Sequence, residues 1–210
     1  MNELWNHSRK ISTMSQSVPL FVTAPSADHQ VINRFLLHFR DWSDLPTSDH
    51  AHVVAARNTY NLEESELKPT VSPVPSDTPN GWSGASLTDV EAFVRDAQAE
   101  DPQSSIFFLL DDQGVRDKTV IAAERRSYDE TEELTDEYNK VRVPSDEAYT
   151  VWVNLDIGNV GWEDYCDEET GGDEDGWWVY GEDGGADIMT DEDREKRDEA
   201  IKKLEESGDA

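Results

Sequence analysis

Residues 141–181, VRVPSDEAYTVWVNLDIGNVGWEDYCDEETGGDEDGWWVYG, hold four of the seven Trp residues and the single Cys. Val151, Val153, Leu155 and Ile157 alternate with Trp152, Asn154 and Asp156, a period of two that predicts a half-buried strand. Gly158-Asn159 offers a turn after it. Trp162, Tyr165 and Cys166 then fall at helical spacing, and Trp177–Tyr180 reads as a short aromatic strand that closes the unit.

Working outward, the upstream sequence alternates strand and helix patterns. Val18–Thr23 reads as a first strand. Asp28 is placed to cap a helix whose apolar stripe is Val31, Ile32, Phe35, Leu36 and Phe39. Ala51–Ala56 reads as a second strand, and a right-handed crossover makes the two parallel. Residues 62–84 are Pro/Ser-rich and read as an extended loop or linker. Ser86-Leu87-Thr88-Asp89 is a capping box, with Leu87, Val90, Phe93, Val94 and Ala97 as the stripe behind it. Ile106–Leu110, IFFLL, predicts a central strand buried on both faces. Lys118–Arg125 follows as a strand after a turn at Gly114, Ser127–Tyr138 as an exposed helix or loop, and residues 190–206 as a charged helix. That last helix has only Ile201 and Leu204 as large apolar side chains, so it is expected to stay undocked. The sum is an α/β domain, with α+β as the neighbouring class: a mixed sheet of five or six strands over residues 19–185. A polar tail, 1–18, precedes it, and an acidic extension, 186–210, follows.

The N-L-x-I-x-N run Asn154–Asn159, the W-E-D-Y of Trp162–Tyr165 and the W-W-V-Y at Trp177 carry a resemblance. More loosely it includes IFFLLDD and the opening PLFVTA, covering residues 19–181. This pattern resembles a family known only as a domain of unknown function, of small acidic proteins from actinobacteria and filamentous fungi. The resemblance implies no activity. The Pro/Ser-rich insert before residue 85 is a departure from its compact bacterial members.

Composition narrows the function without naming it. The net charge is −29 over 210 residues, and residues 160–210 carry 20 acidic against 5 basic side chains. Such a field repels nucleic acid and anionic membranes and favours basic proteins or cations, though solubility alone also accounts for it. The longest strongly apolar run, Ile106–Leu110, is far short of a membrane span, and no secretory pattern is visible. A single Cys excludes an internal disulfide. An intracellular, cytoplasmic protein is expected, and nothing sets an oligomeric state.

Candidate chemistry is sparse, and no cofactor is indicated. Asp111 and Asp112 end the IFFLL strand, where parallel sheets place ligands, yet Asp-Asp-x-Gly is also ordinary turn chemistry. Asp173, Asp175, Gly176 and Glu182 fit the third, fifth, sixth and twelfth places of a calcium loop. Gly171 stands where its first carboxylate is needed, so no tight metal site is expected. Trp152, Trp162, Trp177 and Trp178 are candidate interface anchors, with Asn154, Asp156 and Asn159 beside them. Adjacent Trp177 and Trp178 must point to opposite strand faces, so one is expected buried and the other exposed. The favoured reading is a noncatalytic interaction or regulatory module. The competing classes are an enzyme for a small cationic or metal-bound substrate, with Asp111, Asp112 or Asp156 as its carboxylates, and an inhibitor that neutralises a basic partner.

Overall fold

The structure, a computed structural model, describes residues 17–43, 47–57, 67–98, 106–127, 133–158, 161–167, 172–181 and 189–210. Six strands form one mixed sheet in the order β2-β1-β3-β4-β5-β6. They are β1 (Val18–Val22), β2 (Ala51–Val53), β3 (Ile106–Leu110), β4 (Thr119–Ser127), β5 (Leu134–Pro144) and β6 (Trp177–Trp178). The helices are α1 (His29–His38), α2 (Leu87–Gln98), α3 (Asp112–Asp117), α4 (Ala148–Asp156) and α5 (Asp191–Ser207). β1 pairs in parallel with both β2 and β3, β4 runs antiparallel to β3 and β5, and β6 lies parallel to β5.

The continuous apolar run of β3 is explained by burial on both sides. Ile106, Phe108 and Leu110 face a core shared with α1 and α4, while Phe107 and Leu109 face a second core under α2. All five are buried, and fully burying a side chain of this size contributes about 1.5–3 kcal/mol. Helix α1 starts at Asp28, whose side chain accepts the Val31 N–H at 3.0 Å, a cap contributing about 1 kcal/mol. Helix α2 opens on the expected box: Asp89 accepts from the Ser86 N–H and hydroxyl, and the Asp89 N–H donates back to Ser86 Oγ.

The strand expected at Val151–Ile157 is instead helix α4. Period-two and helical stripes coincide here, because Ala148, Val151, Trp152 and Leu155 also follow i, i+3, i+4, i+7 spacing. Packing decides between them. Val151 and Trp152, on opposite faces of a strand, are both 1% exposed, and β6 already occupies the free edge of β5 through Lys140↔Trp177 and Val141↔Trp178. The Tyr149 hydroxyl donates to Asp41 at 2.7 Å, and Phe39 packs edge-on against the Tyr149 ring. Trp162–Asp164 forms one 3-10 turn, with Trp162, Tyr165 and Cys166 buried.

Three further expectations change. Part of the segment read as an exposed helix or loop, Leu134–Tyr138, belongs to β5. Its acidic side chains point to solvent on an outlying two-stranded ribbon, which hides the strand period. The described part of the Pro/Ser-rich segment is no unattached linker: Leu67, Val74 and Trp82 are buried. The Thr70 N–H donates to the Ala51 carbonyl and Thr70 Oγ1 accepts the Val53 N–H, so this segment covers the β2 edge. The turn at Gly114 is a helix of 6 residues. Of the polar N-terminal tail, residues 1–16 lie outside the described residues, while Ser17 is buried and donates to the Leu67 carbonyl.

Helix α5 carries its capping box at Thr190 and Asp193, yet it does not stand free as expected. Gln30 donates to the Gly208 carbonyl at 2.8 Å, Asn33 to the Asp209 carbonyl at 2.8 Å, and Arg34 pairs with Glu205 at 2.9 Å. Polar bonds do what apolar area could not. Asn33 is fully buried, and its Oδ1 also accepts the Val74 N–H at 2.6 Å, so one amide ties α1 to two distant segments. Among the described residues no helix is long and apolar enough to cross a membrane.

Candidate functional site

The strand order turns back between β1 and β3, with α1 and α2 on opposite faces, and such a reversal opens a crevice at the strand ends. Asp111 and Asp112 stand there, but both are committed to structure. Asp111 caps α3 through the Gly114 N–H at 2.7 Å and receives two parallel bonds from Arg142, at 2.9 and 2.7 Å. Burial opposes its charge, but the Arg142 and Gly114 bonds outweigh that and hold its carboxyl below the usual carboxylate range. Asp112 accepts the Ser26 hydroxyl at 2.6 Å, a bond that crosses the crevice.

The other sequence-predicted residues do not join them. Trp152 is core, among Phe39, Tyr149 and His50. Trp162 is also buried, and its indole N–H donates to Glu124. Asn154 and Asp156 lie half-buried on the later turns of α4, with Asn154 bonded to the Tyr165 hydroxyl. Asn159 lies outside the described residues, as do Gly171 and Glu182 of the calcium-loop register. Asp173 is spent on its own loop, where its Oδ1 accepts the N–H of Asp175 and of Trp177. Among the described residues no three His, Cys, Asp or Glu side chains converge as a metal-binding set.

Trp177 and Trp178 do face opposite sides, Trp178 toward the α1 core and Trp177 toward the α2 core. The expected contrast of one buried and one exposed ring is absent, because both are half-buried. Trp178 is fixed by its indole N–H to Asn139 Oδ1 at 3.1 Å. The Trp177 indole makes no such bond among the described residues, and its ring stands 5.8 Å from the Lys140 ammonium, which pairs with Glu91 at 3.1 Å. Beside it opens a polar cleft of about 210 Å³, lined by five carboxylates, Glu91, Asp136, Glu137, Glu174 and Asp175, against Arg126 and Lys140. Gly176 makes this wall possible: its φ is +82°, and an added Cβ would stand 2.1 Å from the Tyr138 carbonyl oxygen. Tyr138 closes the floor, its hydroxyl donating to the Glu91 carbonyl at 2.9 Å, and burial pushes its phenol up to about 12.

A second cleft, of about 400 Å³, lies on the opposite face between α1, α3, α5 and the turn after β5. Its floor is apolar: Val31, Phe35, Leu110, Val115 and Ile201. His38, Lys118, Ser145 and Asp146 supply the polar lining. None of these four was legible as a site, because they come from three separate elements and match no spacing. His38 Nδ1 is buried without a hydrogen-bond partner among the described residues. Burial, with Arg197 adding to it, lowers His38 to about 4, so the imidazole is neutral at pH 7. Lys118 has φ 56° and ψ 47°, a left-handed conformation that glycine normally takes at a helix end.

Residues 40–178 match the family described as a domain of unknown function, DUF6924. The match spans well over half of the chain, which therefore belongs to this family. It takes in β2 through β6 and the acidic cleft beside Trp177, and leaves β1, α1 and α5 outside, with the opening PLFVTA. No curated protein and no solved structure matches the chain.

Proposed function

We propose that the chain is a noncatalytic protein-interaction or regulatory module, which meets a basic protein at the acidic cleft beside Trp177. The observation that carries this reading is the excess of five carboxylates over two cations around one cleft, where Lys140 stands 5.8 Å from the half-buried indole of Trp177. Asp136 and Glu137 have side chains 78% and 72% exposed, so they act by steering and by rim contacts that salt screens. Trp177 offers an aromatic face on which an incoming Arg or Lys can stack, as Lys140 already does from inside. The enzyme alternative is weaker, because Asp111 and Asp112 are held by Arg142, Gly114 and Ser26. An inhibitor of a basic partner would use the same face. Nucleic acid and anionic membranes are outside this reading, since net charge −29 opposes both. A cytoplasmic setting goes with it, in which the buried Cys166 stays reduced. Membership of a group of small acidic proteins from actinobacteria and filamentous fungi goes with it too.

The test is capture from the host's own lysate by the wild type and by a neutralised variant, Asp136→Asn, Glu137→Gln, Glu174→Gln and Asp175→Asn. The expected result is a basic protein retained by the wild type at low and moderate salt and lost by the variant, with the melting temperature unchanged. A partner held equally by both proteins, or none at either salt, overturns the proposal.

A further inference from the structure

The cleft on the α1 face is independent of the acidic surface, and its chemistry is different. Arg34 and Glu205 at its rim satisfy each other at 2.9 Å. That leaves two opposite charges, Lys118 and Asp146, and among the described residues neither makes a side-chain hydrogen bond or ion pair. They line the same cleft without pairing across it. Ser145 and the neutral His38 line the same cleft, and the buried His38 Nδ1 has no hydrogen-bond partner among the described residues. Below lies the apolar floor of Phe35, Leu110, Val115 and Ile201. A volume of about 400 Å³ is within the range of small-molecule pockets.

We infer that this cleft is a binding site for a small zwitterion with an apolar body, the chemistry of an apolar α-amino acid or dipeptide. Lys118 takes the carboxylate, Asp146 takes the ammonium, and the apolar group lies on Phe35, Leu110 and Val115. A ligand of a single sign would bring its charge against one of the two and leave the other unmatched. A wholly apolar ligand would desolvate both charges without compensation. The backbone of Lys118 supports the assignment independently. A non-glycine residue in the left-handed region carries strain that glycine would avoid, and strain of this kind gathers at ligand clamps.

The experiment is a titration of the full chain with L-leucine, L-phenylalanine and L-leucyl-L-leucine, followed by amide NMR shifts. N-acetyl-L-leucine, which lacks the ammonium, and L-leucinamide, which lacks the carboxylate, are the controls. At least one zwitterion is expected to give saturable millimolar or tighter shifts at Gly114, Val115 and Lys118, with both controls weaker by about tenfold or more. Lys118→Gly keeps the backbone conformation and removes the ammonium, and Asp146→Asn removes the carboxylate charge. Each is expected to weaken the zwitterion by about tenfold or more, with the fold retained by melting temperature. No saturable shift from any of the three zwitterions, controls that bind as well as they do, or full binding by Lys118→Gly would overturn the proposal.

Discussion

The two faces of the sheet are covered unequally. Over the α1 face lie α1, α4, Val115 of α3 and the 3-10 turn at Trp162, around a core that runs from Val18 to Cys166, with the end of α5 bonded to α1. Over the α2 face lies one helix, and the gap beside it is filled by Trp82 from the Pro/Ser-rich segment. Trp82 packs edge-on against Phe21 at 5.0 Å and Phe93 at 4.9 Å. The thin face thus depends on one ring delivered by a loop, while the thick face shares its load. Its helices meet imperfectly, however, and the larger cleft is the space they leave. What covers a sheet economically becomes essential, and what covers it generously leaves room for a site.

The sharpest way to break this comparison is to truncate one indole on each face. Trp82→Ala should cost about 3–5 kcal/mol, the range for large aromatic truncations in a core. Trp152→Ala should fall at or below the lower end of that range. Phe39, Tyr149 and His50 surround Trp152 and can close on the space. Urea unfolding of both variants measures the difference, and a larger loss at Trp152 would reverse the assignment of thin and thick faces.

Acid should weaken the thick face first, through His38. Its ordinary value is 6.5, and in the fold it lies at about 4, so between these values the unfolded chain binds the extra proton. This contribution is therefore undiminished above pH 6.5 and is lost as pH falls toward 4. The loss amounts to about 3 kcal/mol at the lower end. Arg197 and Arg34 act to lower the group, while Asp146 and Asp198 act to raise it. Asp111, held below the usual carboxylate range by Arg142, gives stability that is lost only as pH falls below about 3.9. A stability profile of His38→Gln should lose the slope between pH 6.5 and 4 and keep the loss at lower pH.

How far the sequence told this in advance depends on where each signal resides. β3, α1 and α2 were legible because their apolar pattern admits one geometry and their caps are local. α4 reads as a strand because Val151 and Leu155 fit both periods, and only tertiary packing, the joint burial of Val151 and Trp152 and the β5–β6 pairing, removes one of them. β5 was obscured because Asp136 and Glu137 lie on solvated ribbon. Asp111 was legible as a strand-end carboxylate, but its use was not, because Arg142 comes from another strand. The α1-face cleft had no local signal at all, since His38, Lys118 and Asp146 meet only through tertiary packing.

The thick face is also where α5 docks, so its removal sharpens the comparison. Deleting residues 189–210 would leave the buried Asn33 amide without the Asp209 carbonyl, and unmet buried donors cost about 1–3 kcal/mol. A loss of that size is expected in thermal unfolding, with cooperativity kept. No change in melting temperature would mean that α5 is held too weakly to count as part of this face.

The smallest effect has the opposite sign. Lys118 ends α3 in the left-handed region, its N–H donating to the Gly114 carbonyl. An L-residue there costs about 1–2 kcal/mol. Glycine escapes that cost, but it gives the unfolded chain more freedom, which takes back about 0.4–1 kcal/mol. The backbone bond from the Ser145 N–H to the Lys118 carbonyl, 3.0 Å, survives the change because no side chain takes part. Lys118→Gly should therefore stabilise the protein by about 0–1.6 kcal/mol, each kcal/mol raising the melting temperature by roughly 2–4 °C. The neighbouring Gly114 supplies the control: its added Cβ would stand 2.4 Å from the Thr119 carbonyl oxygen, so Gly114→Ala should destabilise. If Lys118→Gly instead lowers the melting temperature, the lysine side chain contributes more to the fold than its backbone costs. The left-handed backbone would then be offset by the packing of its own side chain, and it would no longer speak for a ligand clamp beside the cleft.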